Sequence, residues 1–205
     1  MDYVGYASMN INSTVKTVLI TGSQGYLGSE IVSQMKSIKN IRIVKTGREK
    51  GDYLCDLTNL KNTRQLLIDK NPDLIIHCAA SVPKNIKDYD KDSTDSLIMV
   101  ENLLKTSNSP IVFISSMTVY GENVINPVCE SSIENPESKY ALSKWNSEQL
   151  IKKHKRKSLI IRIPGLFGLP RTDGLVANII TSLKNDKMPE MPNKPLLWAA
   201  MHVKD

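Results

Sequence analysis

Apolar positions along the chain alternate between two rhythms. Val18-Leu19-Ile20-Thr21 is a short apolar run ending at glycines, and Leu27, Ile31, Val32 and Met35 behind it recur at helical spacing, so the segment reads strand, turn, helix. The alternation repeats. Ile41 to Val44 predicts a second strand, Tyr53-Leu54-Cys55 a short third, and residues 59–70 a helix. Then come a strand at 73–78, a helix at 93–106, a strand at 111–115, a helix at 138–154, a strand at 158–163 and a helix at 174–185. Runs such as Leu74-Ile75-Ile76 and Ile111-Val112-Phe113-Ile114 have no polar face, as in parallel strands covered by helices on both sides. The expected fold is α/β, a Rossmann-like doubly wound parallel sheet with helices on both faces. Residues 1–16 are polar and aperiodic and read as an N-terminal extension.

Composition narrows the class. At 205 residues and 40% hydrophobic content the chain has room for one cored domain and the start of a second, and a net charge of +6 does not place it among disordered proteins. No apolar run reaches the ~20 residues of a membrane span, and no signal-peptide core is present, so a cytoplasmic protein without a membrane partner is expected. Cys55, Cys78 and Cys129 are odd in number and far apart, and His77, His154 and His202 lack the i, i+4 spacing of helical metal ligands. No metal is expected. The basic run Lys152 to Lys157 follows a helical pattern, where positive side chains suit the helix C-terminus, so it reads as a solvated helix end and not as a nucleic-acid site.

Three segments carry chemistry. Thr21-Gly22-Ser23-Gln24-Gly25-Tyr26-Leu27-Gly28 lies where the first strand turns into the first helix. Glycines there let backbone approach a pyrophosphate, and the helix N-terminus offers free N–H groups to the anion. Tyr140 and Lys144, at i and i+4, share one helix face, so the ammonium is placed to favour the phenolate. A free tyrosine ionises near pH 10, and bringing it to neutrality takes roughly 4 kcal/mol of differential interaction. Ser115-Ser116-Met117-Thr118-Val119-Tyr120-Gly121 follows the strand at 111–114, where hydroxyls can meet a ligand beyond the carboxyl end of a parallel sheet.

In this order, T-G-x-x-G-x-x-G at 21–28, Asp56-Leu57-Thr58, His77-Cys78-Ala79-Ala80, S-S-x-x-V-Y-G at 115–121, Y-x-x-x-K at 140–144, Arg162-Ile163-Pro164-Gly165 and His202-Val203-Lys204-Asp205 resemble the extended short-chain dehydrogenase/reductases, also called the NAD-dependent epimerase/dehydratase family. The resemblance runs from about residue 17 to the last. It implies an NAD(P)-binding Rossmann domain over 17–170 and, over 171–205, the start of a substrate-binding region that is incomplete here. It also implies hydride transfer on a nucleotide-sugar substrate, with Tyr140 as acid/base, Lys144 lowering its pKa and holding the nicotinamide ribose, and Ser116 bonding the same substrate oxygen. Gly22, Gly25, Tyr26, Leu27 and Gly28 would line the pyrophosphate, Asp56 and Leu57 the adenine, Ala79 and Ala80 the ribose side and Pro164 the nicotinamide, with Ser115 also among the cofactor-binding residues. Homodimers are common in the family.

Two departures sharpen the expectation. Where family dehydratases resemble a pattern with Asp-Glu after the catalytic hydroxyl, this chain has Met117-Thr118, which disfavours dehydration. The second strand ends Lys45-Thr46-Gly47-Arg48, with no carboxylate for the ribose hydroxyls of NAD, while Lys45 or Arg48 could meet a 2′-phosphate. NADP is therefore preferred over NAD. The expected activity is that of an NAD(P)-dependent nucleotide-sugar epimerase or 4-ketoreductase, and the alternative is a non-catalytic NAD(P)-binding module.

Overall fold

The computed structural model describes residues 17–82, 88–121, 127–189 and 199–205. The extension at 1–16 and the apolar stretch Leu196 to Trp198 lie outside the described residues. Six parallel strands form the main sheet: β1 (Thr17–Thr21), β2 (Arg42–Gly47), β3 (Tyr53–Leu54), β4 (Leu74–His77), β5 (Ile111–Ser116) and β6 (Ser158–Ile163). They run side by side as β3-β2-β1-β4-β5-β6. The order reverses between β1 and β4, where Val18 pairs with Ile43 on one side and with Leu74 on the other. In such sheets ligands bind in the crevice beyond the strand ends at this reversal.

Four helices connect the strands: α1 (Tyr26–Met35), α2 (Leu60–Lys70), α3 (Thr94–Thr106) and α4 (Lys139–Lys153). Local chemistry sets their ends. Asn59 Oδ1 accepts from the N–H groups of Lys61 and Asn62 to open α2, and Ser138 Oγ accepts from Ala141 N to open α4. Asn71 closes α2 in the left-handed region, at φ 37°.

Because side chains alternate along a strand, each strand feeds two cores. Leu19, Val44, Ile75, Ile111 and Phe113 point to one face and pack with Leu66 and Leu67 of α2, Val100, Leu103 and Leu104 of α3, and Ile151 of α4. Val18, Ile20 and Ile76 point to the other and meet Val32, Ile31 and Met35 of α1. Helices flank both faces as expected, and at the edge strand β6 Leu159 and Ile161 stay 47% and 38% exposed among the described residues.

Beyond β6 the chain forms β7 (Gly165–Phe167), α5 (Leu175–Lys184) and β8 (Ala200–His202). β7 and β8 pair in parallel as a separate two-stranded sheet, an element the apolar pattern does not predict. This small sheet is braced against α1. Tyr26 Oη donates to the Gly168 carbonyl at 2.6 Å, and Gln34 Nε2 donates to the Lys204 carbonyl at 2.9 Å. No residue of α5 is buried.

Candidate active site

The glycine turn sits at the sheet's reversal point. Gly22 adopts φ +63°, and a Cβ there would stand 2.7 Å from the backbone nitrogen of Ala79, past the end of β4. A Cβ on Gly28 would run into the Gly22 carbonyl, so glycine is what lets α1 start this close to β1. Gly25 precedes α1 in an extended conformation and no side chain caps the helix, which leaves its first N–H groups open to an anion. This concave turn suits the diphosphate of a dinucleotide. Ser23 fixes the turn to β2 by donating from N and Oγ to the Thr46 carbonyl.

Thr21 joins the two central strands. Its Oγ1 accepts from Ala79 N at 3.2 Å and lies 2.7 Å from His77 Nδ1. His77 stacks on Phe113, and burial, with the nearby Lys144 charge, lowers its pKa to about 3. Its Nε2 is buried without a hydrogen-bond partner.

The cofactor-side residues fall into two groups. Gly22, Gly25, Leu27, Ala79, Ala80 and Pro164 keep some surface around the crevice, and Gly28 is buried beneath it. Tyr26 is half-buried, with its hydroxyl already bound to Gly168. Asp56 Oδ1 accepts from Thr58 N and Oγ1, forming a tight local turn. Two expectations need correction. The Leu57 side chain belongs to the core with Leu19 and Leu66, and its carbonyl accepts from Asn102 Nδ2 and Thr63 Oγ1. The Ser115 hydroxyl does not face the crevice but donates to Glu148 Oε1 at 2.5 Å inside the fold. Lys45 is drawn into an ion pair with Asp52 at 2.9 Å, so of the two cations considered for a 2′-phosphate only the exposed Arg48 is uncommitted to that pair.

Ser116, Tyr140 and Lys144 converge at the carboxyl end of β5. All three are buried. Tyr140 starts the first turn of α4, its N–H donating to the Tyr89 carbonyl, with the two rings edge to face at 5.6 Å. Lys144, one turn on, donates from Nζ to the Ile114 carbonyl at 2.7 Å and sits over the Phe113 ring at 5.0 Å. The expected acidification of the phenol is absent in this state. Burial, reinforced by Tyr89, pushes Tyr140 up to about 12, with a hydrogen bond from Ser116 the opposing influence. Burial likewise lowers Lys144 to about 8. A small cleft of about 70 Å³ lies near the start of α4, lined by Tyr89, Thr118, Gly121, Glu137 and Ser138.

Behind the trio lies a charged cluster that motif reading misses. Glu148, fully buried on α4, accepts from Arg162 Nε at 3.0 Å and Nη2 at 2.6 Å as well as from Ser115. Arg162 also reaches Glu134 at 2.5 Å and stacks on Tyr120 at 4.7 Å. The available signal was a carboxylate one turn beyond Lys144 on the same helix face, and an arginine inside an apolar strand. The basic run is likewise more engaged than a solvated end: Lys152 approaches Glu134 and Glu148 at 3.9 and 3.8 Å, and Arg156 donates to the Ser107 carbonyl. Among the described residues no three His, Cys, Asp or Glu side chains cluster as metal ligands, and no helix is long and apolar enough to cross a membrane.

The chain was compared with known proteins. Residues 16–191 match the model of the RmlD substrate binding domain. A UDP-glucose 4-epimerase of Neisseria meningitidis serogroup A is 29% identical over 161 residues, covering 67% of this chain and 48% of the relative. The chain thus spans about half the length of the curated relatives it matches. Among solved structures, a dTDP-4-dehydrorhamnose reductase of Clostridium acetobutylicum superposes with a TM-score of 0.70 at 30% identity, over 82% of this chain and 60% of that one. The Bordetella bronchiseptica enzyme WbmH, solved in complex with NAD+, superposes with a TM-score of 0.75 at 21% identity, over 92% and 68%. By its matched span, motif order and sheet topology, the chain belongs to the RmlD substrate binding domain family, within the extended short-chain dehydrogenase/reductases.

Proposed function

We propose that this chain carries the coenzyme-binding and catalytic half of an NAD(P)-dependent nucleotide-sugar 4-epimerase or 4-ketoreductase. The observation that carries the reading is the convergence of Ser116, Tyr140 and Lys144 at the end of β5, two strands from an uncapped glycine turn. A nicotinamide coenzyme, when bound, supplies or accepts the hydride. Gly22, Gly25, Leu27 and the N-terminus of α1 hold its diphosphate, and Ala79, Ala80 and Pro164 border its ribose and nicotinamide. Tyr140 exchanges a proton with the reacting sugar oxygen, Ser116 donates a hydrogen bond to that oxygen, and Lys144 holds ribose hydroxyls.

The phenol ionises too late for this task in the structure as it stands. Lys144, one helical turn from Tyr140 with its Nζ on the Ile114 carbonyl, is the cation placed to favour the phenolate. Coenzyme preference rests on Arg48, since Asp52 neutralises Lys45. NADP is preferred over NAD on that residue.

The test uses the chain with NADPH or NADH and a panel of UDP- and dTDP-linked sugars and 4-ketosugars. Turnover is expected with one nucleotide class, and Tyr140→Phe is expected to remove it while leaving coenzyme binding within about threefold. Turnover that survives Tyr140→Phe would overturn the reading. Saturable coenzyme binding with no hydride transfer to any of the sugars would favour a non-catalytic module.

A further inference from the structure

Asn102 sits inside α3, on a buried face it shares with Val100, Leu103 and Leu104. Asparagine is a poor residue for a helix interior and costly to bury unless its amide is bonded. Here it is bonded twice to one turn. Asn102 Nδ2 donates to the Leu57 carbonyl at 2.9 Å and to the Thr58 carbonyl at 3.0 Å. Carbonyls can be served only by the amide's NH2, so both of its protons are committed. The turn itself runs from Asp56 to Asn59, just past β3. Asn59 N donates to the Asp56 carbonyl at 3.1 Å, and Asp56 Oδ1 accepts from Thr58 N and Oγ1. A trans peptide points its C=O and its N–H in opposite directions. The Thr58–Asn59 peptide is therefore pinned at both ends, its oxygen by Asn102 and its N–H by the Asp56 carbonyl. That carbonyl shares a peptide plane with the Leu57 N–H, which is turned out of the turn as a result. Among the described residues no partner meets the Leu57 N–H or Asp56 Oδ2. A free donor and a free acceptor are left on consecutive residues.

We propose that Asn102 is a positioning residue for the coenzyme's base: through two linked peptide planes it aims the Leu57 N–H beside Asp56, so that the turn accepts adenine and rejects a base with the reversed edge. This rests on the proposed function, which puts the diphosphate at the end of β1 and the redox chemistry at the end of β5. The other nucleoside then extends the opposite way, over β2 and β3, where the turn lies. Adenine presents an amine donor next to a ring-nitrogen acceptor, the complement of Asp56 Oδ2 and the Leu57 N–H. Hypoxanthine presents a carbonyl oxygen and an N–H at the same places, setting oxygen against oxygen and N–H against N–H. Without the Asn102 amide the Thr58 carbonyl loses the bond that pins it, and the Thr58–Asn59 plane can rotate off the Asp56 carbonyl. The Leu57 carbonyl keeps Thr63 Oγ1 at 3.2 Å, so the core side of the turn stays in place. What is lost is the aim of the outward N–H.

The test compares NADPH with its hypoxanthine analogue, deamino-NADPH, by calorimetric titration of the unchanged chain, Asn102→Leu, Asn102→Ala and Val100→Ala. The unchanged chain is expected to bind NADPH about tenfold more tightly than the analogue. Asn102→Leu keeps the shape and removes both donors, and is expected to bring that ratio below about twofold. Asn102→Ala is expected to do the same, and is read alone if the leucine variant does not fold. Val100→Ala thins the same helix face without removing a bond to the turn. It is expected to lower the urea midpoint while the ratio stays near tenfold, which separates positioning from packing. If the Asn102 variants weaken both dinucleotides equally and keep the ratio, or if the unchanged chain does not distinguish the two, the proposal is overturned and the proposed function stands. If neither dinucleotide binds the unchanged chain, both fall.

Discussion

The two faces of the main sheet are built from the same strands and finished very differently. On one, α2, α3 and α4 pack side by side over Leu19, Ile75, Ile111 and Phe113, and even the charged groups there are matched, Glu148 with Arg162 and Ser115. On the other, α1 covers β1, β2 and part of β4, while Leu159 and Ile161 of β6 face outward. The residues proposed for chemistry belong to the finished side. Tyr140, Lys144, Glu148 and Ile151 all descend the buried face of α4. The geometry of the proposed acid/base group is thus fixed by packing within this chain. By contrast, α5 buries none of its residues among the described residues.

That contrast can be broken most forcefully at Glu148. Glu148→Ala strands Arg162 against a buried face and is expected to destabilise the fold by about 3–5 kcal/mol, read as a lower urea midpoint. If the loss is no larger than that of a surface substitution, the packed face is not the rigid partner.

Acid is the next lever, through His77 at the end of β4. Its folded pKa of about 3 lies below the ordinary value of 6.5, so between those two pH values the unfolded chain binds the extra proton and stability falls as pH drops. The expected slope is about 1.4 kcal/mol per pH unit, or about 2 kcal/mol between pH 6.5 and 5. His77→Asn, whose amide can still meet Thr21, is expected to flatten that part of the stability profile measured by urea titration at several pH values.

Gly28→Ala tests the one helix of the less covered face. Its new methyl meets the Gly22 carbonyl, a backbone atom with no room to move, so a loss of about 1–3 kcal/mol is expected, together with at least a tenfold weaker coenzyme affinity in calorimetric titration. An unchanged affinity would detach the glycine turn from coenzyme binding. The smallest effect is expected at β6, where Leu159→Lys should change stability by no more than about 0.5 kcal/mol. Any self-association seen in sedimentation should fall with it, because among the described residues β6 presents both an apolar face and an unpaired edge.

Legibility in the sequence followed the same divide. The helix expected at 138–154 is found at Lys139–Lys153, because a long periodic pattern reports burial against a packed layer, and the short apolar strand expected at 158–163 is found there at the sheet edge. The pair β7–β8 was invisible, since three residues carry no period and their partner lies far along the chain. In the site, the shared helix face of Tyr140 and Lys144 followed from i, i+4 spacing. Their ionisation did not, because it depends on burial and on Tyr89, which arrives from a separate segment. Adjacent residues of a strand point to opposite faces, so Ser115 and Ser116 could not both have turned to one ligand, a signal that was present and unused. For Leu57 a motif position names the residue, while the core packing of its side chain appears only in the structure.

The bond from Tyr26 to the Gly168 carbonyl has a mechanical corollary. The first turn of α1 cannot shift without dragging β7, β7 cannot shift without β8, and the residues after β8 grip α1 a second time through Gln34. The loop is closed like a buckle, with the phosphate-facing end of the helix as its tongue. A disturbance of the segment after β8 therefore tugs on the place where a dinucleotide would dock, although no residue there has been touched.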